Sequence, residues 1–187
     1  NAAKEGTRRI DGPRFPRIGC VEVLEALRDH PHYKTPLEGP NRGRGVAVGF
    51  WFNAGLQSSC SIAVNADGSV TLVEGSPDIG GSRVGIAMQA AEALGISAEE
   101  VRPAVVDTDS IGFTAGTGGS RVTFATGWAA YEASQDVKRQ MIARAATIWD
   151  IDPDSVEMEK GVVQSKTDSE LKMTFRELAA QLNDTGG

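Results

Sequence analysis

Two short glycine-rich segments hold the residue types best suited to chemistry in this chain. The first runs Glu74-Gly75-Ser76-Pro77-Asp78-Ile79-Gly80-Gly81-Ser82-Arg83. The second runs Gly112-Phe113-Thr114-Ala115-Gly116-Thr117-Gly118-Gly119-Ser120-Arg121. Consecutive glycines let a backbone pass close to a ligand because no Cβ intrudes. Both segments stand where the downstream pattern turns helical, and a helix start offers free N–H donors with a partial positive charge. That combination suits an anion, above all a phosphate. In the first segment Gly80, Gly81 and Ser82 line the helix start, and Ser82 can cap the helix or bond a phosphate oxygen. In the second, Thr117, Gly118, Gly119 and Ser120 can ring an anion, and Arg121 can add a charge-assisted bond. Each segment also reads as a plain turn capped by its serine.

Neither segment is a standard nucleotide fingerprint. Gly80, Gly81 and Gly85 do not fit G-x-G-x-x-G, whose third position is Ser82 here, and no lysine follows the glycines of the second segment as a P-loop requires. Other candidates are weaker. Asp107 and Asp109 can bind a metal or act as acid and base, but a turn with solvated carboxylates accounts for them; Glu74 and Asp78 read the same way. His30 and His32 flank Pro31 with no second Cys or His pair after them, and Cys20 and Cys60 are too few for a cysteine-built site, so no metal ligand is assigned. No nucleophile–base pairing is legible, and no catalytic residue is assigned. Trp51, Trp128 and Trp149 read as core or half-buried packing.

The elements that must position these segments follow from periodicity. Residues 1–44 read as an Arg-, Gly- and Pro-rich lead-in, a short amphipathic helix over 20–29 ended by Pro31, and a linker; residues 45–187 read as the main domain. Strands are expected over 46–52, 58–64 and 69–75, the last two joined by an Asn65-Ala66-Asp67-Gly68 hairpin turn. A helix over about 82–95 with Val84, Ala87, Met88, Ala91 and Leu94 on one face ends at Gly95. A strand over 99–107 follows, then a helix over about 121–148 with Val122, Ala125, Ala129, Val137, Met141, Ala145 and Ile148 inward. A hairpin over 156–163 turns at Lys160-Gly161, and Thr174 with Glu177 forms a capping box for a last helix. The order predicts an α+β fold of two layers, a mixed sheet with helices on one face. Two helix starts in one such layer project from the same sheet edge, where they can hold two ends of one large phosphate-bearing ligand.

The 187 residues are 40% hydrophobic and 24% charged, enough for a core, and the net charge of −6 argues against nucleic acid as a partner. No run is apolar enough to span a bilayer and no signal peptide is visible, so a cytoplasmic location is expected. The chain opens at Asn1-Ala2 without a methionine and closes at Asp184-Thr185-Gly186-Gly187, which reads as a fragment of a longer chain.

Four segments in order, Gly75–Gly81, Gln89–Ile96, Val106–Asp109 and Thr117–Thr123, resemble the large subunits of the molybdenum hydroxylases: xanthine dehydrogenase, aldehyde oxidase, carbon monoxide dehydrogenase and nicotinate dehydrogenase. The resemblance covers about residues 45–150. It implies part of the second molybdopterin-binding domain, with molybdopterin as the cofactor, in bacteria usually as the cytosine dinucleotide. Enzymes of this type hydroxylate carbon with oxygen from water and pass electrons to iron–sulfur clusters and FAD on other domains or subunits. Those domains, the rest of the large subunit and a small-molecule substrate are thereby the implied partners. Carried over, Gly80, Gly81 and Ser82 lie by the pterin or its phosphates, and Thr117 to Arg121 contact the pyrophosphate or the dinucleotide end. Many members read Gly-Gln-Gly at the first turn; here Gly80 stands in the place of the glutamine. The family's active-site glutamate does not occur in this sequence, so no activity is expected of this chain alone. The alternatives are a stand-alone binding or assembly module of the same fold without molybdenum chemistry, and an unrelated phosphate- or nucleotide-binding protein.

Overall fold

The computed structural model describes residues 2–49 and 51–184. The chain divides into two compact units, Asn1–Phe50 and Trp51–Gly187. The first unit contains the expected helix, α1 (Cys20–Asp29). Pro31 does more than end it. Its ring presets φ for a helix start, so Pro31–Lys34 forms a further turn, α2, whose entry His30 caps by accepting the His32 N–H on its ring.

The second unit holds the α+β fold. Its strands are β1 (Cys60–Val64), β2 (Val70–Glu74) and β3 (Val101–Val105), in the order β1-β2-β3. The β1–β2 pair is antiparallel across the Asn65–Gly68 turn, and β2–β3 is parallel, joined through α3 (Ser82–Leu94). On β2 the alternation buries Val70, Leu72 and Glu74 on one face. Against that face pack α3 and the long helix α4 (Gly127–Trp149), with Ile86, Ala87, Ala90, Ala91 and Leu94 of α3 and Ala130, Val137, Met141 and Ala145 of α4. Alanine dominates the α3–α4 contact, and small side chains let the two helices approach closely. At one point Gly127 lies under the amide of the Gln89 side chain, which a Cβ there would displace.

The expectation of a single sheet is corrected. Strands β4 (Val156–Glu159), β5 (Val162–Ser165) and β6 (Lys172–Thr174) form a separate antiparallel sheet, also covered by α4. Its third strand is too short to show a period in the sequence. The capping box stands as expected: Thr174 Oγ1 accepts from the Glu177 N–H at 3.2 Å and Glu177 Oε2 accepts from the Thr174 N–H at 2.8 Å, opening α5 (Phe175–Ala179). The end of α3 meets the second sheet's hairpin at a pair of glycines. Gly95 ends α3 at φ 74°, Gly161 turns the β4–β5 hairpin at φ 72°, and a Cβ on either would collide with the other's backbone.

Two further expectations fail. Residues 46–49, 51 and 52 form no strand, and Phe50 lies outside the described residues, as do Asn1 and Thr185–Gly187. The segment 53–59 is instead held by polar contacts to the loop before α4, described below. On α3, Val84 and Met88 face outward at 61% and 56% exposure, because the close-packed face is the one through Ser82, Ile86, Ala90 and Leu94. Trp51 and Trp128 are likewise well exposed, while Trp149 packs against the core.

Candidate functional site

Because β2 and β3 run parallel and adjacent, the loops after them leave the same edge of the sheet. The first carries residues 75–81 into α3 and the second carries residues 106–121 into α4. The loops touch at their roots: a Cβ on Gly75 would sit 3.2 Å from Thr114 Oγ1. Both glycine-rich segments therefore belong to loops that leave one edge of the sheet and touch each other.

The first turn is organised by Asp78. Its Oδ1 accepts from the Arg83 N–H at 3.1 Å and from the Ser82 hydroxyl at 3.4 Å, while Ser82 Oγ accepts from the Ile79 N–H at 3.2 Å. The carboxylate reaches over the first turn of α3, where the helix dipole favours it. Ser82 is therefore buried in the turn's own wiring rather than capping the helix alone. Gly80 and Gly81 have the opposite character. Both are exposed, a Cβ on either would meet nothing within 4 Å, and among the described residues their N–H groups donate to no protein acceptor.

The second loop begins with an Asp107 turn. Its Oδ1 accepts from the Asp109 N–H at 3.0 Å and the Ser110 hydroxyl at 2.9 Å, and these bonds, the hydroxyl's first, hold the carboxyl below its ordinary range. This is an Asp-stabilised turn, the plainer of the two readings of that pair. Among the described residues no group of three or more His, Cys, Asp or Glu is gathered as metal ligands would be. Further on, Thr117, Gly118 and Ser120 are exposed, and the N–H groups of Thr117 through Ser120 donate to no acceptor among the described residues. The carbonyls of this stretch are used differently: Gly119 O accepts from the Ala54 N–H at 2.9 Å and Ser120 O from Asn53 Nδ2 at 2.9 Å. The loop thus turns its acceptors toward residues 53–54 and keeps its donors open. Ser120 does not cap a helix as expected. The chain first makes a π-helical turn, Val122–Thr126, whose leading flank is Arg121 with no side-chain cap.

Arg121 departs most from expectation. Its side chain is wholly buried. Nε donates to Gly55 O, Nη1 to Ala115 O and Nη2 to Gln57 O, each at 2.7 Å, and Nη2 donates also to Ser58 Oγ at 2.5 Å. Four of the five guanidinium donors are taken by the protein. The direct anion contact read from the sequence is replaced by a clamp that ties segment 55–58 to the loop before α4. Segment 53–58 is the part of the site that sequence reasoning missed, together with Ser76 and Thr126; Asp78, with Glu74, reads from the sequence as part of a turn with solvated carboxylates. Only Asp78, an acid four residues before a helix start, left a legible signal.

Residues 26–186 match the family model of the molybdopterin cofactor-binding domain. The chain belongs to that family. Among solved structures, this molybdopterin-binding domain is similar to a copper- and molybdenum-containing CO dehydrogenase in its carbon monoxide-reduced state, at 27% identity and a TM-score of 0.64 over 70% of this chain and 17% of that one. It is also similar to reconstituted CO dehydrogenase from Oligotropha carboxidovorans, at 28% identity and a TM-score of 0.62 over 67% of this chain and 16% of that one. Quinoline 2-oxidoreductase from Pseudomonas putida 86 shares the fold, at 21% identity and a TM-score of 0.59 over 70% of this chain and 17% of that one. The chain thus spans about a sixth of the length of each of these proteins. No described helix of the domain is long and apolar enough to cross a membrane.

Proposed function

We propose that this domain holds the phosphate-bearing part of a molybdopterin cofactor, in its cytosine dinucleotide form, on the rim formed by Gly80, Gly81 and Ser82 and by Thr117, Gly118, Gly119, Ser120 and Arg121. The observation that carries the reading is the pairing of two open donor arrays on one sheet edge. Both are N–H groups with no protein acceptor among the described residues, and Gly80, Gly81 and Gly118 leave space where a side chain would stand. The electrostatics favour an anion most at the second turn, since the π-turn before α4 contains no acidic residue; at the first turn the Asp78 carboxylate already occupies the start of α3, and the amides left open are those of Gly80 and Gly81.

Each residue has a separate task. The Gly80 and Gly81 amides receive one end of the ligand, beside the N-terminus of α3, and Ser82 fixes the turn from beneath through Asp78. The amides of Thr117, Gly118 and Ser120, with the Thr117 and Ser120 hydroxyls, receive the other end. Gly119 and Arg121 serve from behind: Gly119 lets the loop lie against Ala54, and Arg121 holds the loop's frame. When bound, the cofactor supplies two-electron redox chemistry at molybdenum, and this chain contributes its binding and orientation. The parent protein is then a hydroxylase of the xanthine dehydrogenase, aldehyde oxidase and CO dehydrogenase type, with iron–sulfur and FAD partners and a small-molecule substrate. The isolated chain is expected to be inactive.

The test is to purify the complete protein that carries this chain, measure molybdenum, and release the nucleotide by mild acid hydrolysis. Stoichiometric molybdenum with cytidine monophosphate is expected. Molybdenum without any nucleotide would overturn the dinucleotide form, and the absence of both metal and pterin from protein made in a cofactor-producing host would overturn the reading as a whole.

A further inference from the structure

We infer that Thr126 is a positioning residue that locks the two glycine-rich turns to each other through a buried chain of hydroxyls. The inference rests on the reading of those turns as two arms of one cofactor cradle. Thr126 is wholly buried at the end of the π-turn. Its Oγ1 lies 2.7 Å from Ser76 Oγ and 2.9 Å from Ser58 Oγ. Ser76, itself 1% exposed, is the root of the first turn. Ser58 takes a bond from Arg121 Nη2, and Arg121 Nη1 holds the Ala115 carbonyl of the second loop. One hydroxyl group therefore stands between the two arms.

The chain continues at its other end. The Ser76 N–H donates to Glu74 Oε2 at 2.5 Å, and Glu74 Oε1 faces Arg83 Nε at 3.8 Å. Arg83 sits directly after Gly80, Gly81 and Ser82; Arg121 sits directly after Thr117 to Ser120. The polar string runs from the Arg121 guanidinium through the Ser58, Thr126 and Ser76 hydroxyls, and through the Ser76 backbone N–H to the Glu74 carboxylate, with Arg83 facing that carboxylate beyond hydrogen-bond distance; Thr126, Ser76 and Glu74 are buried and Ser58 is half-buried. Hydroxyl chains in such surroundings are cooperative: a charged donor at one end orients each O–H in turn, and removing an inner member leaves its neighbours buried without partners.

The π-turn explains why Thr126 can occupy this place. A π-turn holds one residue more than a regular turn, and one residue rotates the helix face by about 100°. Val122 and Ala125 on this turn are buried, while Thr123 and Phe124 are exposed. The extra residue sets the phase in which Thr126 faces both Ser58 and Ser76 at the start of α4. A fixed separation between the arms matters for a ligand that must touch both, because a loosened arm adds an ordering cost to binding.

The experiment compares the complete protein with its Thr126→Val and Thr126→Ser variants by amide hydrogen exchange and by molybdenum content. Valine keeps the shape and removes the hydroxyl; serine keeps the hydroxyl. Two amides report on the arms: Ser76, bonded to Glu74, and Ala115, bonded to Gln57 O. Amides of the β4–β5 hairpin serve as controls. Thr126→Val is expected to speed exchange at both Ser76 and Ala115 by roughly fivefold or more with the hairpin unchanged, and Thr126→Ser to restore both. Faster exchange at only one arm, at neither, or equally at the hairpin overturns the coupling. Coupled acceleration with molybdenum content unchanged keeps the coupling and overturns the cofactor-cradle reading on which it rests.

Discussion

Arg121 shows how far a single side chain's job depends on where its donors point. A guanidinium after a glycine-rich loop reads as an anion ligand, yet here it binds three backbone carbonyls and a serine in a buried frame. Its removal leaves those carbonyls unpaired, so Arg121→Ala is expected to cost about 3–5 kcal/mol in a urea titration. Arg121→Lys should recover less than half, because an ammonium cannot reproduce the planar fork. Cys60 makes a second residue-level prediction. Burial first, and the nearby Glu74 charge second, push its thiol from 9.0 up to about 12. The folded state then keeps the proton that the unfolded chain releases near pH 9.0. The stability this contributes is complete below that pH and is lost as pH rises toward 12. Urea midpoints of the native protein should therefore fall more steeply between pH 9 and 11 than those of Cys60→Ala. Equal slopes would show that the thiol is not held neutral.

The capping box, the hairpin turn at Asn65–Gly68 and the glycine stop of α3 were all legible in the sequence, because each is a local signal written in adjacent residues. Thr174→Ala should accordingly cost about 1 kcal/mol, read from the thermal midpoint, by freeing the Glu177 amide. The outward face of α3 was not legible, since Val84 and Met88 are as apolar as their buried neighbours and only the arrival of α4 decides which stripe is covered. Segment 53–59 was not legible for a related reason. Strands are expected over 46–52 and from 58, the stretch between is unassigned, and the segment's long-range hydrogen bonds go to a loop more than fifty residues away, which no periodicity records. Gly118 and Gly119 separate the loop's two constraints. Gly119 has φ 67° and its Cβ would fall 2.6 Å from that of Ala54, whereas Gly118 has ordinary φ and open space around it. Strain and overpacking together put Gly119→Ala at about 2–4 kcal/mol, against a near-neutral Gly118→Ala, by urea unfolding.

For the molecule as a whole, the family and the α+β class could be read from four ordered segments, and the position of the proposed cradle follows from one topological fact, the parallel pairing of β2 with β3. The second sheet and the buried polar string were beyond reach of the sequence, because both depend on contacts between distant segments. The central claim is that the open amides of the two turns hold an anionic cofactor, and Gly118 offers a direct test that spares the fold. An aspartate there has room and an ordinary backbone, and it places a carboxylate among the donors of the second turn. In the complete protein, Gly118→Asp is predicted to keep the thermal midpoint within about 2 °C, as an exposed substitution does, while molybdenum per chain drops roughly tenfold or more through like-charge repulsion at the phosphates. Full molybdenum content in a normally folded Gly118→Asp protein would contradict the account.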